Sequence, residues 1–436
     1  MLPVDQSDLP PLPSYTLTVR EPLLPPIPDN ILVLILPIVA YWGFSLFFHW
    51  IDVNDYFAQY RLHTPAELLK RNHVSRWDVV RDVVVQQIIQ TLFGLALAFV
   101  DEPELVGREE YDTMVWATRI RVAQRYIPAI LSVLGLDPAG LAAKLPTDSM
   151  LAAAIRGGQY SFLTQEIDSG VIAPAFASWE LALAGAIYWY AIPTLKFFYG
   201  IVFVDTWQYF LHRAMHMNKW LYSRSHPIYL DGVFSSLTTI DKFHSRHHRL
   251  YVPYAFGALY NHPVEGFLLD TAGTGLAFLT CSMTSRQGMV FFVVSTLKTI
   301  DDHCGYAFPF DPLQHVTSNN APYHDIHHQS WGIKSNFSQP FFTFWDRLLD
   351  TQWTGGDVSG RYERSRNAAQ KLVDSDNKPP TQSAVPSQPE EEDESESAAT
   401  YGLLHRSVRN KTSSFSSQAD NIKTVTHHLN GSIRQK

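Results

Sequence analysis

His212-Arg-Ala-Met-His216, His244-Ser-Arg-His247-His248 and His324-Asp-Ile-His327-His328 are the stretches that decide how this chain is read. Twelve of its eighteen histidines fall between His212 and His328, and these three groups hold eight of them. Residues three and four apart share a helix face. His212 and His216 can therefore address one point, and the first histidine of each His-x-x-His-His group shares a face with the other two. Imidazole suits borderline metals such as iron and zinc. Eight rings exceed what one tetrahedral ion takes, so the pattern predicts two metal ions. His303, in Asp301-Asp-His-Cys-Gly305, stands between the second and third groups and is a further candidate. An isolated histidine is ordinarily a surface or hydrogen-bonded core residue. His49, His63, His73 and His405 are read that way, and His427-His428 as a chance pair in a polar tail.

Around the histidines the chain is apolar. Hydrophobic residues make up 46% and aromatics 13%, while charged residues reach 17%, against a globular norm of about 25%. That balance predicts a membrane protein. The net charge of −8 owes much to an acidic block at Glu390–Glu396, so its sign says little about partners, and no nucleic acid is expected. Cys281 and Cys304 cannot build a disulfide framework and read as buried thiols.

Residues 1–30 form a proline-rich segment without the basic start of a cleavable signal. Residues 31–204 are read as transmembrane helices. Ile31–Trp50 runs without a formal charge for long enough to cross a bilayer. Val83–Val100 is a second span if Gln86, Gln87 and Gln90 face other helices. Arg61, Lys70, Arg71, Arg76 and Arg81 between the two make that loop cytosolic, and the amino terminus lumenal. Residues 101–178 then form a lumenal segment, in part on the membrane surface. The third span, Trp179–Val204, leads into His212 on the cytosolic side.

Residues 205–354 form the catalytic region, with a membrane hairpin at 264–300. His248 and His303 flank this hairpin and must reach one centre, so it turns back near Ser282–Gln287. Asp270, a charge at a costly depth, should face the bundle interior. Residues 355–436 lack an amphipathic period and are expected to be disordered. The fold class is thus an all-α, polytopic membrane helical bundle of about four spans or hairpins, with a cytosolic, helical, histidine-rich site for two metals. Candidates to orient the ligands are Asp205, Asp241, Asn261, Asp301, Asp302 and Asp325.

The histidine groups carry a family likeness. So do Asp205-Thr-Trp-Gln-Tyr-Phe-Leu-His212, His247–His262, Asp301–Tyr306, Tyr323–Gly332 and Asn336–Asp346. Over residues 28–354 the chain resembles the membrane fatty acid hydroxylase superfamily, and within it the fungal sphinganine C4-hydroxylases. The resemblance implies a di-iron monooxygenase of the endoplasmic reticulum that hydroxylates C4 of sphinganine or dihydroceramide to the phytosphingosine type. It would use O2 and electrons from NAD(P)H through cytochrome b5 and its reductase. No His-Pro-Gly-Gly haem motif occurs, so the donor would be a separate protein. The implied metal ligands are His212, His216, His244, His247, His248, His324, His327 and His328, with His303 and His262 as weaker additions. Zinc could replace iron on overexpression.

One departure stands out. His216 and His244 are 28 residues apart, farther than in the resembled family, and the excess falls in Ser225–Lys242. It is read as translated intron sequence or an insertion, or as a tolerated cytosolic loop. The alternatives in function are a sterol C4-methyl oxidase or C5-desaturase, a zinc hydrolase, and a non-catalytic membrane metal-binding protein.

Overall fold

Three apolar helices set the frame of the computed structural model, which describes residues 9–166, 170–222 and 244–377. Ser225–Lys242, Asp241 within it, the acidic block, His405 and His427-His428 lie outside the described residues. Asp29–Val53, Arg76–Val100 and Ser178–Met217 are, among the described residues, the helices long and apolar enough to cross a membrane. The first two have 25 residues each and reach about 37 Å at 1.5 Å per residue, enough for a hydrocarbon core of about 30 Å. Only 17% of the most apolar stretch of the second and third is buried inside the protein. Such faces are stable only against lipid, and the chain is a membrane protein.

Polar side chains within the spans turn inward, as expected. Gln86 and Gln87 are buried; Gln86 donates to Asp270 (3.0 Å) and Gln87 accepts from Trp42 Nε1 (3.0 Å). The hairpin forms too. Its arms are Pro263–Thr280, built from three short helical pieces, and Ser285–Asp302, capped by Thr284. The chain reverses at Cys281–Thr284, close to the expected turn. The second arm packs along the first span.

The ends of these helices segregate into two sets. The carboxyl ends of the first and third spans, the start of the second and the end of the hairpin all meet around the histidines. At the other end Arg286 pairs with Asp29 (2.8 Å), Lys196 donates to the Ser282 carbonyl (2.6 Å), and Thr18–Val19 pairs with Leu105–Val106. The segment after Val100 is more helical than foreseen, with Glu109–Gln124 as its main helix.

That helix is anchored by one buried ion pair. Arg121 Nε donates to Glu180 Oε1 (2.6 Å), Gln124 Nε2 donates to the same oxygen (2.6 Å), and Arg121 lies over the Tyr160 ring. Arg121 is 3% and Glu180 0% exposed. Arg121→Met should therefore strand a buried carboxylate and cost about 3–5 kcal/mol. Thermal unfolding in detergent would show the loss, and adding Glu180→Leu should recover most of it.

The expectation of disorder from residue 355 onward is corrected by a helix at Ser359–Asp376, which packs on the short helix Pro65–Arg71. Its inward stripe is Tyr362, Ser365, Ala369 and Val373. The spacing is helical, but two of the four side chains are Ser and Ala, so apolar periodicity does not reveal it.

Candidate metal centre

Nine histidines converge in two buried groups: His212, His216, His244, His248 and His327 in one, and His247, His303, His324 and His328 in the other. Within each, the candidate ligand atoms lie within 4.8 Å of one another. All eight histidines of the three sequence groups are present, together with His303. His262 joins neither group; it caps the helix Pro263–Gly266, its Nδ1 accepting from the Val264 N–H (3.3 Å).

The two His-x-x-His-His groups divide between the centres. His244 and His248 go to the five-membered group and His247 to the other; His324 and His328 go to the four-membered group and His327 crosses back. Sharing a helix face thus does not bring the three histidines of a group to one centre. On the α-helix Ala321–His328, positions three and four onward lie about −60° and +40° around the axis from the first. His244–Arg249 is instead a 3-10 helix, where the third position onward eclipses the first and the fourth lies about 120° away. Two adjacent centres use both sides. Asn320 caps the helix Ala321–His328 and aims the third group, while the last turns of the third span aim His212 and His216.

Protonation is fixed by the ring nitrogens that point away from the centres. Nδ1 of His212, His247, His303, His327 and His328 donates to the carbonyls of Phe337 (2.8 Å), Tyr260 (3.0 Å), Thr299 (2.8 Å), Ser335 (2.7 Å) and Leu250 (2.8 Å). A carbonyl can only accept, so in each neutral ring Nε2 carries a lone pair. These lone pairs face one another: His303 Nε2 lies 3.5 Å from His247 Nε2. In the other group the His212 Nε2 lone pair points at His216 Nε2 (3.2 Å), which in turn lies 2.7 Å from His244 Nε2 and 3.1 Å from His248 Nε2. Facing lone pairs repel unless a cation sits between them, and the donor set therefore fits metal ions. Burial pushes the imidazolium pKa down to about 3 in His244 and His303 and about 4 in His247, so these rings are neutral and ready to ligate at neutral pH.

The polar residues expected to orient the ligands serve the surrounding frame. Asp205 accepts from the N–H groups of Phe341 (3.0 Å) and Phe342 (2.8 Å), Asp301 from Gln314 (3.0 Å), and Asp302 pairs with Lys298. Asp325 accepts from His63 (2.9 Å) and Tyr362. Asn261 donates to Asp270 (3.4 Å). Sequence reasoning missed Glu265, which receives His244 Nδ1 at 2.5 Å; its signal was a lone charge at the head of an apolar run. Such a partner orients a ligand and raises its basicity. Glu265→Gln should lower metal affinity roughly 10–100-fold, measurable by competition with a chelator.

The Fatty acid hydroxylase family model matches residues 233–351. Sphingolipid C4-hydroxylase SUR2 of Saccharomyces cerevisiae is 42% identical over 352 residues, 81% of this chain and 80% of the relative. Sphingolipid C4-hydroxylase sur2 of Schizosaccharomyces pombe is 38% identical over 73% of this chain and 86% of its own. Sphinganine C4-monooxygenase 1 of Arabidopsis thaliana is 36% identical over 74% and 87%. No solved structure matches the chain.

Proposed function

We propose, for a chain that belongs to the fatty acid hydroxylase family, that it is a di-iron monooxygenase of the endoplasmic reticulum that hydroxylates C4 of sphinganine or dihydroceramide. The observation that carries this reading is the two converging sets of neutral imidazoles at one end of lipid-facing helices. The substrate rests on the names of the relatives.

Two irons, when bound, would be held by the five- and four-histidine groups and would supply the activation of O2. In the overall reaction one oxygen atom enters the C4–H bond and the other leaves as water with two electrons and two protons. The electrons come from NAD(P)H through cytochrome b5 and its reductase on the cytosolic face. The chain's own residues hold and shield the site. The backbone carbonyls of Phe337, Tyr260, Thr299, Ser335 and Leu250 lock the imidazoles in the ligating tautomer. The spans leave the substrate's hydrocarbon tail in the bilayer while its polar end enters a narrow cavity beside the histidines. That cavity is lined by Ala258, Leu269 and Pro340 as well as polar side chains.

The test is expression in yeast lacking its own C4-hydroxylase, with hydroxylated bases read by mass spectrometry. The chain is expressed whole and without residues 225–242. Cα atoms of the turn Lys219–Tyr222 lie within 8 Å of Cα atoms of His244–Arg249, a gap within reach of the three remaining residues. Both forms should therefore restore phytosphingosine-type bases. Absence of product from two well-expressed forms defeats the reading; altered methylsterols without phytosphingosine would favour a sterol oxidase.

A further inference from the structure

C4 of a sphingoid base is three covalent bonds from the C2 nitrogen. An enzyme that brings C4 to a metal centre must therefore take the amino-diol head into the same cavity. The polar side chains that line the cavity beside the histidines include Gln208, Asn261, Glu265, Asp270, Thr299 and Asp302. Two of these polar groups are engaged away from the others: Asp302 is ion-paired with Lys298, and Thr299 Oγ1 donates to the Ser295 carbonyl (3.0 Å).

Asp270 is different. It is half-buried on a π-helical turn at Phe267–Ala272, a type of distortion that recurs at functional sites. Three side-chain amides, Gln86 (3.0 Å), Asn261 (3.4 Å) and Gln208 (3.5 Å), hold its carboxylate in place. The two longer contacts are weak, and among the described residues Oδ1 has only the Gln208 contact. No Lys or Arg is ion-paired with it among the described residues. Beside it Glu265 is 0% exposed, and its Oε2 has no hydrogen-bond partner among the described residues. Both carboxyl side chains border one cavity, and a carboxylate placed among membrane helices without a cation is costly.

Resting on the C4-hydroxylase reading, we propose that Asp270 binds the ammonium group of a free sphingoid base, with Glu265 Oε2 accepting from the head group beside it. An N-acylated substrate carries a neutral amide at the same position and cannot form that ion pair. Asp270 is therefore a specificity-determining residue that favours the free base. Asn261, Gln208 and Gln86 act on specificity by positioning its carboxylate.

Purified, metal-loaded enzyme with its electron donors would be assayed on sphinganine, on short-chain dihydroceramide and on a sphinganine analogue whose amine is replaced by hydroxyl. In Asp270→Asn the preference for sphinganine over dihydroceramide should fall roughly 30-fold, mainly through KM, with metal content unchanged. The wild-type enzyme should disfavour the hydroxyl analogue by a similar factor, a measurement independent of how the variant folds. Equal handling of amine and hydroxyl by the wild type overturns the proposal. So does an unchanged preference in a folded variant, or wild-type activity on dihydroceramide alone, and in each of these cases the C4-hydroxylase reading survives. Activity on none of the substrates removes that reading and this one together.

Discussion

His216→Ala is expected to remove hydroxylase activity by more than roughly 100-fold and to lower bound metal from about two ions per chain to about one. The loss should exceed the 10–100-fold typical of removing a partner behind a ligand, because His216 is the hub of its group. Its Nε2 lies within 2.7–3.2 Å of Nε2 of His212, His244 and His248. His324→Ala should do the same to the other centre, where its Nε2 lies 3.1 Å from His303 and 3.2 Å from His328. The informative control is His315→Ala. His315 falls inside the histidine-rich stretch of sequence but is exposed, and its Nε2 meets only the Pro309 carbonyl at 3.1 Å. Metal analysis and product formation should leave that variant at wild-type values. Retention of two metals and activity in His216→Ala would remove the centre from the mechanism.

Much of this centre was legible because metal ligation needs particular residue types at helical spacing. His303 was legible from its place in Asp301-Asp-His-Cys-Gly305 between the second and third groups. The hairpin was inferred from it, on the premise that His248 and His303 reach one centre, although the two fall in adjacent groups. The division of each His-x-x-His-His group between two centres was not. Shared helix faces at three and four residues are compatible with one target or two, and only the position of the neighbouring helices decides between them. Glu265 shows the same limit. A carboxylate at the head of an apolar run reads equally as a helix-end charge, until the fold places His244 beside it.

The spans were legible from length and charge, and the inward turn of Gln86 and Asp270 followed from the cost of polar groups in lipid. The helix Ser359–Asp376 was hidden because its contacts are polar. It is held by Tyr362 on Asp325, Arg361 over the Trp331 and Trp353 rings, and Lys70 with Asp376. His63 was rightly read as a hydrogen-bonded core histidine, and its partner is the Asp of the third histidine group. That link joins the loop between the first two spans, the third histidine group and the tail helix.

Ending the chain after Val358 should therefore cost on the order of 100-fold in activity, whereas ending it after Asn377 keeps every contact described here and should cost little. The helix Ala321–His328 carries three candidate ligands, and a displacement of about 1 Å at such a site can cost 10²-fold. What fixes its rotation on the outer side is Asp325, gripped by His63 Nε2 (2.9 Å) and the Tyr362 hydroxyl, while Glu67 takes His63 Nδ1 at 3.1 Å. Burial pushes the His63 pKa down, but Asp325 and Glu67 outweigh it and raise it to about 9. A folded-state value above the unfolded one of about 6.5 means the stabilisation is complete below about pH 6.5. It is lost as pH rises through about 9, by up to about 3 kcal/mol. Thermal unfolding of the chain ending at Asn377 should show this decline between pH 6.5 and 9. Both His63→Gln and the chain ending at Val358, which opens the cage to water, should show a flatter profile. A steep alkaline decline that persists in His63→Gln would assign the effect to another group and leave the tail helix without its role in holding the third histidine group.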